Sequence, residues 1–254
     1  MRLREKTAIL TGAGSGIGTA TVRKFLEEGA RVFATDIVGA SLEAMVREFP
    51  SLATLAGDVS RREDVEAVVA AAVEKWGRID ILVNSAGITA RSLGPDASLE
   101  ERWDRVMAVN VKGSMLMGHT VVEAMRASGG GGAIVNVASV MGFTGYPTAL
   151  PFSDGFNPYP SSKGAVAQLT RDMGVRFAAE GIRVNAVAPG FVHTALTANV
   201  TGNPEILETL ERLHPVGRMG TAEEVANVIA FLASDEASFV NGAVWMVDGG
   251  YSAQ

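Results

Sequence analysis

Short apolar runs alternate with longer stretches of helical periodicity along most of the chain. Seven of these runs predict β-strands, because strands buried on both faces of a parallel sheet are apolar throughout. The predicted strands cover residues 7–10, 31–35, 52–55, 79–83, 133–137, 183–187 and 243–247. Helices are predicted to begin near Gly16, Ser41, Arg61, Leu99, Tyr159 and Ala222. The alternation predicts an α/β fold in which helices cover both faces of one parallel sheet.

No stretch rich in Pro and Ser interrupts this pattern, so one domain is predicted for residues 1–254. Two segments stand out as loops, at about residues 140–158 and 190–221. Both follow the ends of predicted strands, where doubly wound sheets bind their ligands. We therefore expect these two loops to form the substrate site.

Composition and charge narrow the classes of partner. The chain has 254 residues, no cysteine and a formal net charge of −6, which repels nucleic-acid phosphates and anionic lipid headgroups. No apolar run reaches the roughly 18 residues of a membrane span. The lack of cysteine excludes disulfides, and no group of His and carboxylates has the spacing of metal ligands. We expect a cytoplasmic protein with no nucleic-acid, membrane or metal partner.

A glycine-rich turn, TGAGSGIG at residues 11–18, joins the first predicted strand to the first helix. Glycines let the backbone approach a pyrophosphate, and the N–H groups of a helix N-terminus bind its charge. Asp36 ends the second predicted strand, where a carboxylate accepts hydrogen bonds from the adenosine ribose. Together these features predict a dinucleotide site. The alternatives are an ordinary tight turn and a capping role for Asp36.

Asp36 also favours NAD over NADP. Two like charges about 4 Å apart at an effective dielectric constant of about 20 repel by about 4 kcal/mol, so a 2′-phosphate there requires a compensating cation. Ser15 and residues 37–40 supply none. We therefore expect NAD as the cofactor.

Several further blocks follow in a fixed order. They are Asp58-Val59, Asn84-Ser85-Ala86-Gly87, Asn110, Ser139, Tyr159-Pro160-Ser161-Ser162-Lys163, Pro189-Gly190 and Asp248-Gly249-Gly250. With the glycine-rich turn, they resemble the short-chain dehydrogenase/reductase family over essentially the whole chain. The resemblance implies a single-domain Rossmann fold with a doubly wound, seven-stranded parallel sheet. It also implies that the cofactor is bound by Gly12, Ser15, Gly16, Ile17, Gly18, Asp36, Asp58, Val59, Asn84, Ala86, Gly87, Tyr159, Lys163, Pro189, Gly190, Val192 and Thr194.

Tyr159 and Lys163 are four residues apart on a helical stretch, so their side chains lie on one face. An ammonium beside a phenol favours the phenolate, which makes Tyr159 the predicted base for alcohol oxidation and acid for the reverse reaction. Ser139 is predicted to donate to the substrate oxygen. The resemblance implies that Lys163 binds the nicotinamide ribose and that Asn110 holds a water linking Lys163 to solvent. Singly, these residues also fit core packing, a solvated lysine and a helix cap.

The segment between Ser139 and Tyr159 holds 19 residues and is longer than is usual in the family. Tyr146 is the alternative base, but Leu150 occupies the position where a lysine partner would lie. Aromatic residues in the loops predict a partly apolar, uncharged substrate, with subunit contact as their alternative use. The candidate substrate contacts are Met141, Phe143, Tyr146, Phe152, Phe191 and His193.

These features predict an oxidoreductase that transfers a hydride between NAD(H) and a small secondary alcohol or ketone, including a hydroxy acid, sugar or cyclic alcohol. The alternatives are an NADP-dependent carbonyl or 3-oxoacyl reductase, an enoyl reductase and a non-catalytic nucleotide-binding protein. Family members that reduce enoyl groups usually have a wider Tyr-to-Lys spacing. Helices near Leu99 and Tyr159 and the segment 245–254 resemble the family's subunit contacts, which implies a homotetramer.

Overall fold

All seven predicted strands are present, and they pair in parallel in one sheet. The computed structural model describes residues 1–94, 96–146, 157–198 and 202–254. The strands are β1 Thr7–Thr11, β2 Arg31–Thr35, β3 Ala53–Thr54, β4 Ile81–Asn84, β5 Gly132–Val137, β6 Ile182–Pro189 and β7 Val244–Val247. Their order is β3-β2-β1-β4-β5-β6-β7, which confirms the predicted doubly wound sheet.

The helices of the described residues depart from the prediction at two places. They are α1 Gly16–Glu27, α2 Gly39–Glu48, α3 Arg62–Trp76, α4 Leu99–Met107, α5 Ser114–Ala127, α6 Pro158–Phe177, α7 Pro204–Arg212 and α8 Ala222–Ala233. The helix predicted from Leu99 is divided by a π-helical segment, Ala108–Gly113. α7 was not predicted and lies inside the 190–221 loop. Its start is encoded locally, because the Asn203 side chain accepts the backbone N–H of Glu205 and Pro204 occupies the first turn.

Two hydrophobic layers enclose the sheet. On one face, α1, α2 and α8 pack through residues such as Phe25, Leu42 and Ile229. On the other, α3, α5 and α6 pack through residues such as Val68 and Met117. The core therefore covers both faces of the sheet, and the loops lie at the ends of its strands.

β1 lies inside the sheet, between β2 and β4. After β3 the chain crosses to the other side of β1, so the loops after β1 and β4 leave in opposite directions and open a crevice. Thr11 and Asn84 are register partners at this edge. The Thr11 hydroxyl accepts the backbone N–H groups of Ser85 and Ala86, each at 3.1 Å. These bonds fix the segment after β4 against the end of β1.

Candidate active site

A cavity of about 460 Å³ runs along the carboxyl ends of β1, β4, β5 and β6. It is lined by Gly12, Ser15, Gly16, Ile17, Asp36, Ile37, Gly57, Asp58, Val59, Ser85, Ala86, Gly87, Ile88, Thr89, Arg91, Arg105, Val109, Val137, Ala138, Ser139, Val140, Met141, Tyr146, Tyr159, Lys163, Pro189, Gly190, Phe191, Val192, Thr194, Ala195, Leu196 and Thr197. Most residues predicted for the cofactor are therefore brought to one continuous cavity.

The glycine-rich turn has a backbone that a larger residue would disrupt. Gly12 has a φ of +62°, and a Cβ on it would lie 2.6 Å from the Ala86 Cα. Gly18 does not line the cavity; it is buried beneath the turn and faces the carbonyl of Gly12. Ser15, Gly16 and Ile17 at the N-terminus of α1 line the cavity, where the N–H groups of a first helical turn, which have no partners within the helix, fit a pyrophosphate.

Asp36 is held in place by the backbone around it. One of its carboxylate oxygens accepts the N–H of Gly14 and the other accepts the N–H of Val38, both at 2.9 Å. The turn-stabilising role weighed from the sequence is therefore present in the structure. Each oxygen retains a further lone pair, so the same carboxylate can accept from ribose hydroxyls in the cavity.

Asp58 and Val59 line the cavity beyond Asp36, and Arg105 of α4 lies beside them. The Arg105 Nη2 donates to Asp58 Oδ2 at 3.1 Å. Burial raises the pKa of Asp58, but hydrogen bonds from Ser60 and Arg105 outweigh it and hold the pKa below its ordinary value. Sequence reasoning missed Arg105, because a single arginine on an amphipathic helix carries no signal of its partner.

Ser139, Tyr159 and Lys163 come together in the lining of the cavity. A close approach makes this possible: a Cβ on Gly142 would lie 2.7 Å from the backbone carbon of Lys163, so the turn after Ser139 packs directly on α6. Ser139 accepts the N–H of Met141 at 3.2 Å, and its side chain also interacts with Tyr159. The helix α6 then presents Tyr159 and Lys163 on one face, as the spacing predicts.

The protonation of this pair differs from the expectation. Burial raises the pKa of Tyr159 to about 12, against the opposing effect of Ser139. Burial also lowers the pKa of Lys163 to about 8. The Lys163 Nζ donates to the Val137 carbonyl at 2.7 Å and lies 5.6 Å from the centre of the Tyr159 ring, so it does not hydrogen-bond the phenol directly. In this arrangement, burial outweighs the lowering of the Tyr159 pKa that was predicted from Lys163.

Comparison with known proteins assigns this arrangement to a family. A family model described as enoyl-(acyl carrier protein) reductase matches residues 12–252. A 3-oxoacyl-[acyl-carrier-protein] reductase, FabG, of Thermotoga maritima is 43% identical over 98% of this chain and 99% of its own. The chain belongs to the short-chain dehydrogenase/reductase family.

Two further matches come from this family of oxidoreductases. A cis-4-hydroxycyclohexanecarboxylate dehydrogenase of Sinomonas cyclohexanicum is 41% identical over 98% of this chain and 97% of its own. The solved crystal structure of gox2181 superposes with a TM-score of 0.90 and 32% identity, over 100% of this chain and 98% of that chain. The Rossmann-type fold predicted from the sequence is thereby confirmed.

Two asparagines predicted for the site of this short-chain dehydrogenase/reductase lie behind the cavity wall rather than in its lining. Asn84 is buried and donates to Asn136 Oδ1 at 2.9 Å, which turns its amide into the sheet. The amide of Asn110 accepts the N–H of Ile88 at 2.8 Å and donates to Ser162 Oγ at 2.9 Å. Asn110 therefore fixes Ile88, a lining residue, and its link to Lys163 through a water stays a prediction.

The predicted substrate contacts divide into three groups. Met141, Tyr146 and Phe191 line the cavity. Phe143 and His193 belong to the described residues and are exposed, but they are not part of the cavity lining. Phe152 lies outside the described residues. The substrate roles of Phe143, Phe152 and His193 stay predictions.

The segment after β6 brings Pro189, Gly190, Val192 and Thr194 to the cavity wall. Thr194 faces the glycine-rich turn, where a Cβ on Gly16 would lie 3.1 Å from the Thr194 Cβ. This contact closes the cavity between the two sides of the sheet.

His214, which sequence reasoning did not single out, anchors Phe191. Its ring accepts the Phe191 N–H at Nε2, at 3.2 Å, and its Nδ1 lies 2.7 Å from the Leu210 carbonyl at the end of α7. The helix α7, which was not predicted, therefore supports His214, and His214 positions Phe191 in the cavity wall.

Within the described ranges, no group of three or more His, Cys, Asp or Glu residues could hold a metal ion. Among the same residues, no helix is long and apolar enough to cross a membrane.

Proposed function

We propose that this protein is an NAD(H)-dependent dehydrogenase and ketone reductase that acts on small secondary alcohols and their ketones. The observation that carries the proposal is the continuity of one cavity. The cavity is lined both by the turn at Gly12 with the carboxylate of Asp36 and by Ser139, Tyr159 and Lys163. A nucleotide bound along the turn therefore extends to the only described tyrosine that has a buried lysine on the same helical face.

The side chains divide the proton chemistry among them. In oxidation, the deprotonated Tyr159 oxygen accepts the proton of the substrate hydroxyl as the carbinol hydrogen leaves as hydride. Ser139 donates a hydrogen bond to the substrate oxygen and stabilises its developing charge. Lys163 holds its positive charge 5.6 Å from the centre of the Tyr159 ring, which opposes the effect of burial on the phenol without overcoming it in the protein alone. A bound nicotinamide dinucleotide supplies the hydride acceptor in this direction and the hydride donor in the other.

NAD is favoured over NADP by the charges at the adenosine end. Two backbone N–H groups hold the Asp36 carboxylate at fixed positions, so it cannot turn away from a 2′-phosphate. Arg105 is a positively charged residue of the cavity lining, and it already forms an ion pair with Asp58. Repulsion of about 4 kcal/mol is therefore left uncompensated.

Two other activities compete with this proposal. The relative named as a 3-oxoacyl-[acyl-carrier-protein] reductase favours an acyl-carrier substrate, whereas the matching family model is described as an enoyl reductase. The three residues between Tyr159 and Lys163 argue against enoyl reduction, because family members with that activity usually have a wider spacing. A non-catalytic role is disfavoured because nucleotide binding alone requires no phenol and ammonium pair.

The subunits are proposed to form a homotetramer, through α4, α5 and α6 and through the segment 245–254. Light scattering at micromolar concentration tests this, and a monomer contradicts it. The cytoplasmic location stays a prediction from the sequence.

A screen of secondary alcohols and ketones, followed by NADH absorbance, tests the activity. We expect oxidation with NAD and slower or no oxidation with NADP. A preference for NADPH, with turnover confined to 3-oxoacyl thioesters, would favour the 3-oxoacyl reductase. Reduction of a carbon–carbon double bond in place of the carbonyl would favour the enoyl reductase.

A further inference from the structure

The imidazole of His214 has a partner at each ring nitrogen. His214 is 2% exposed. Its Nδ1 lies 2.7 Å from the Leu210 carbonyl oxygen, and its Nε2 accepts the Phe191 N–H at 3.2 Å. A carbonyl oxygen only accepts hydrogen bonds, and a backbone N–H only donates them. The two partners together therefore require a neutral imidazole with its hydrogen on Nδ1.

This bond differs from the others that attach the substrate wall. The Gly190 N–H donates to the Val247 carbonyl at 3.1 Å, and the Phe191 carbonyl accepts the Gly220 N–H at 2.9 Å. Backbone groups form both of these bonds, so neither depends on pH. The Phe191 N–H instead has an acceptor that a proton can remove.

The wall packs directly on the imidazole and has space beside it. A Cβ on Gly190 would lie 2.9 Å from His214 Nε2, and the rings of Phe191 and His214 are 5.9 Å apart, edge to face. Phe191 lines the active-site cavity and also a second cavity of about 370 Å³, which His214 lines with it. The second cavity leaves room for Phe191 to move when the bond to the imidazole is lost.

The segment after β7 places a carboxylate near the imidazole. Asp248 lines the second cavity and interacts electrostatically with His214. Burial raises the pKa of Asp248, but hydrogen bonds from Ser252 and Gly250 outweigh it and hold the pKa below its ordinary value. The carboxylate therefore stays charged in mildly acidic solution and favours uptake of a proton by His214.

The other groups around the imidazole keep their charge in mildly acidic solution. The Tyr251 ring lies 5.5 Å from the imidazole, and burial raises the pKa of its phenol. Arg218 and Glu224 line the second cavity as an ion pair, and a hydrogen bond from Arg218 lowers the pKa of Glu224 to about 2. On the side of α7, the carbonyl of Glu211 accepts the backbone N–H of His214 at 3.1 Å.

We propose that His214 is a positioning residue that holds the substrate wall only while its imidazole is neutral, so that acid releases Phe191 and weakens substrate binding. This rests on the proposed function and names a regulation of its site. A proton on Nε2 replaces the lone pair by an N–H, which then faces the Phe191 N–H. Two donors cannot bond each other, so Phe191 separates from the ring.

Ketone reduction with NADH between pH 5.5 and 7 isolates this effect. Tyr159 and Lys163 keep their protons in this range, because their pKa values are about 12 and about 8. Histidine is the side chain whose charge ordinarily changes there. We expect the KM for the ketone to rise by about 10-fold from pH 7 to pH 5.5, and kcat to change much less.

Variants assign the rise to His214. In His214→Gln the side-chain amide offers both an acceptor and a donor and does not titrate, so the KM at pH 7 is expected to stay within a few-fold and the rise to disappear. His119→Gln is the matched control and is expected to keep the rise. His119 is exposed on α5, with its ring against Phe177, and lines neither of the two cavities.

Hydrogen exchange measures the same bond without turnover. In the natural protein, the fragment that contains Phe191 is expected to lose about 10-fold of its protection between pH 7 and pH 5.5, after correction for the intrinsic dependence of exchange on pH. In His214→Gln the protection is expected to stay constant. The comparison at each pH between the two proteins removes the remaining effect of pH on exchange.

Either of two results would overturn the proposal: a KM that is constant from pH 7 to pH 5.5, or a rise of the same size in His214→Gln. If no ketone reacts, the proposed function fails instead, and hydrogen exchange still decides the role of His214. If His214→Gln does not fold, Asp248→Asn decides the question. It removes the charge that favours the protonated imidazole, so the KM and the exchange are expected to change at a lower pH. An unchanged pH dependence in this variant contradicts the proposal.

Discussion

The adenosine end and the substrate end of the cavity are built from different parts of the chain. At the adenosine end the backbone makes the decisive contacts: Gly12 lies against Ala86, and backbone N–H groups hold Asp36. At the substrate end, side chains such as Met141 and Phe191 form the wall. Few residue types can adopt the backbone conformation of Gly12, whereas many side chains can form the wall of a cavity. The adenosine end therefore indicates the class of reaction, and the substrate end determines which substrate is bound.

The largest expected effect lies where the two ends meet. Tyr159→Phe removes the oxygen that exchanges the proton and keeps the ring, so turnover is expected to fall by about 10³- to 10⁴-fold. NADH binding is expected to stay nearly intact. Steady-state rates and fluorescence titration with NADH measure the two quantities separately.

Tyr146→Phe is the matched control for Tyr159→Phe. Tyr146 lines the same cavity, but no lysine lies on its helical spacing. The variant is expected to keep at least about a tenth of the activity, because only a neutral contact is lost. If Tyr146→Phe abolishes turnover and Tyr159→Phe does not, the catalytic assignment is wrong.

The second effect tests the adenosine end alone. Asp36→Ala combined with Ile37→Arg removes a negative charge and adds a partner for a 2′-phosphate. We expect the ratio of kcat/KM for NAD to that for NADP to fall by up to about 1000-fold, the equivalent of about 4 kcal/mol. Kinetics with both cofactors measure it, and Ile37→Gln controls for the change of side chain. A natural preference for NADP contradicts the argument.

The same difference between the ends explains what could be predicted from the sequence. The strands, the glycine-rich turn and the positions of Tyr159 and Lys163 follow from local patterns, because each depends on neighbours a few residues away. Arg105 and His214 were missed because their contacts depend on segments that only the folded sheet brings together. The orientation of Phe143 and His193 could not be predicted, since a loop has no periodicity that indicates which side faces inward.

The third effect tests the substrate end. Ser139→Ala removes a hydrogen bond to the substrate oxygen that strengthens as charge develops, so kcat is expected to fall by about 100-fold. The KM for NAD is expected to change little, because Ser139 lies away from the glycine-rich turn. Ser139 also accepts the Met141 N–H, so the thermal midpoint is measured alongside. An unchanged kcat would contradict the role of Ser139 in turnover.

The smallest effect concerns stability. The buried Lys163 has a folded pKa of about 8, below the 10.5 of an exposed lysine. Between these values the unfolded chain binds more protons than the folded chain, so the free energy of unfolding rises with pH. The rise is expected to be about 2 kcal/mol from pH 8 to 10.

Lys163→Met assigns that rise to a single group. The variant removes the titrating group and also the hydrogen bond to the Val137 carbonyl. Loss of the hydrogen bond lowers the free energy of unfolding at every pH. The informative quantity is therefore the slope of that free energy against pH. Denaturant unfolding without nucleotide, from pH 7 to 9.5, measures the slope. This window stays below pH 10, above which the raised pKa of Tyr159 makes stability fall as pH rises. The exposed Lys75→Met variant is expected to follow the natural protein. Parallel curves for Lys163→Met and the natural protein would mean that Lys163 stays charged when buried, and that the Val137 carbonyl offsets the cost of burial.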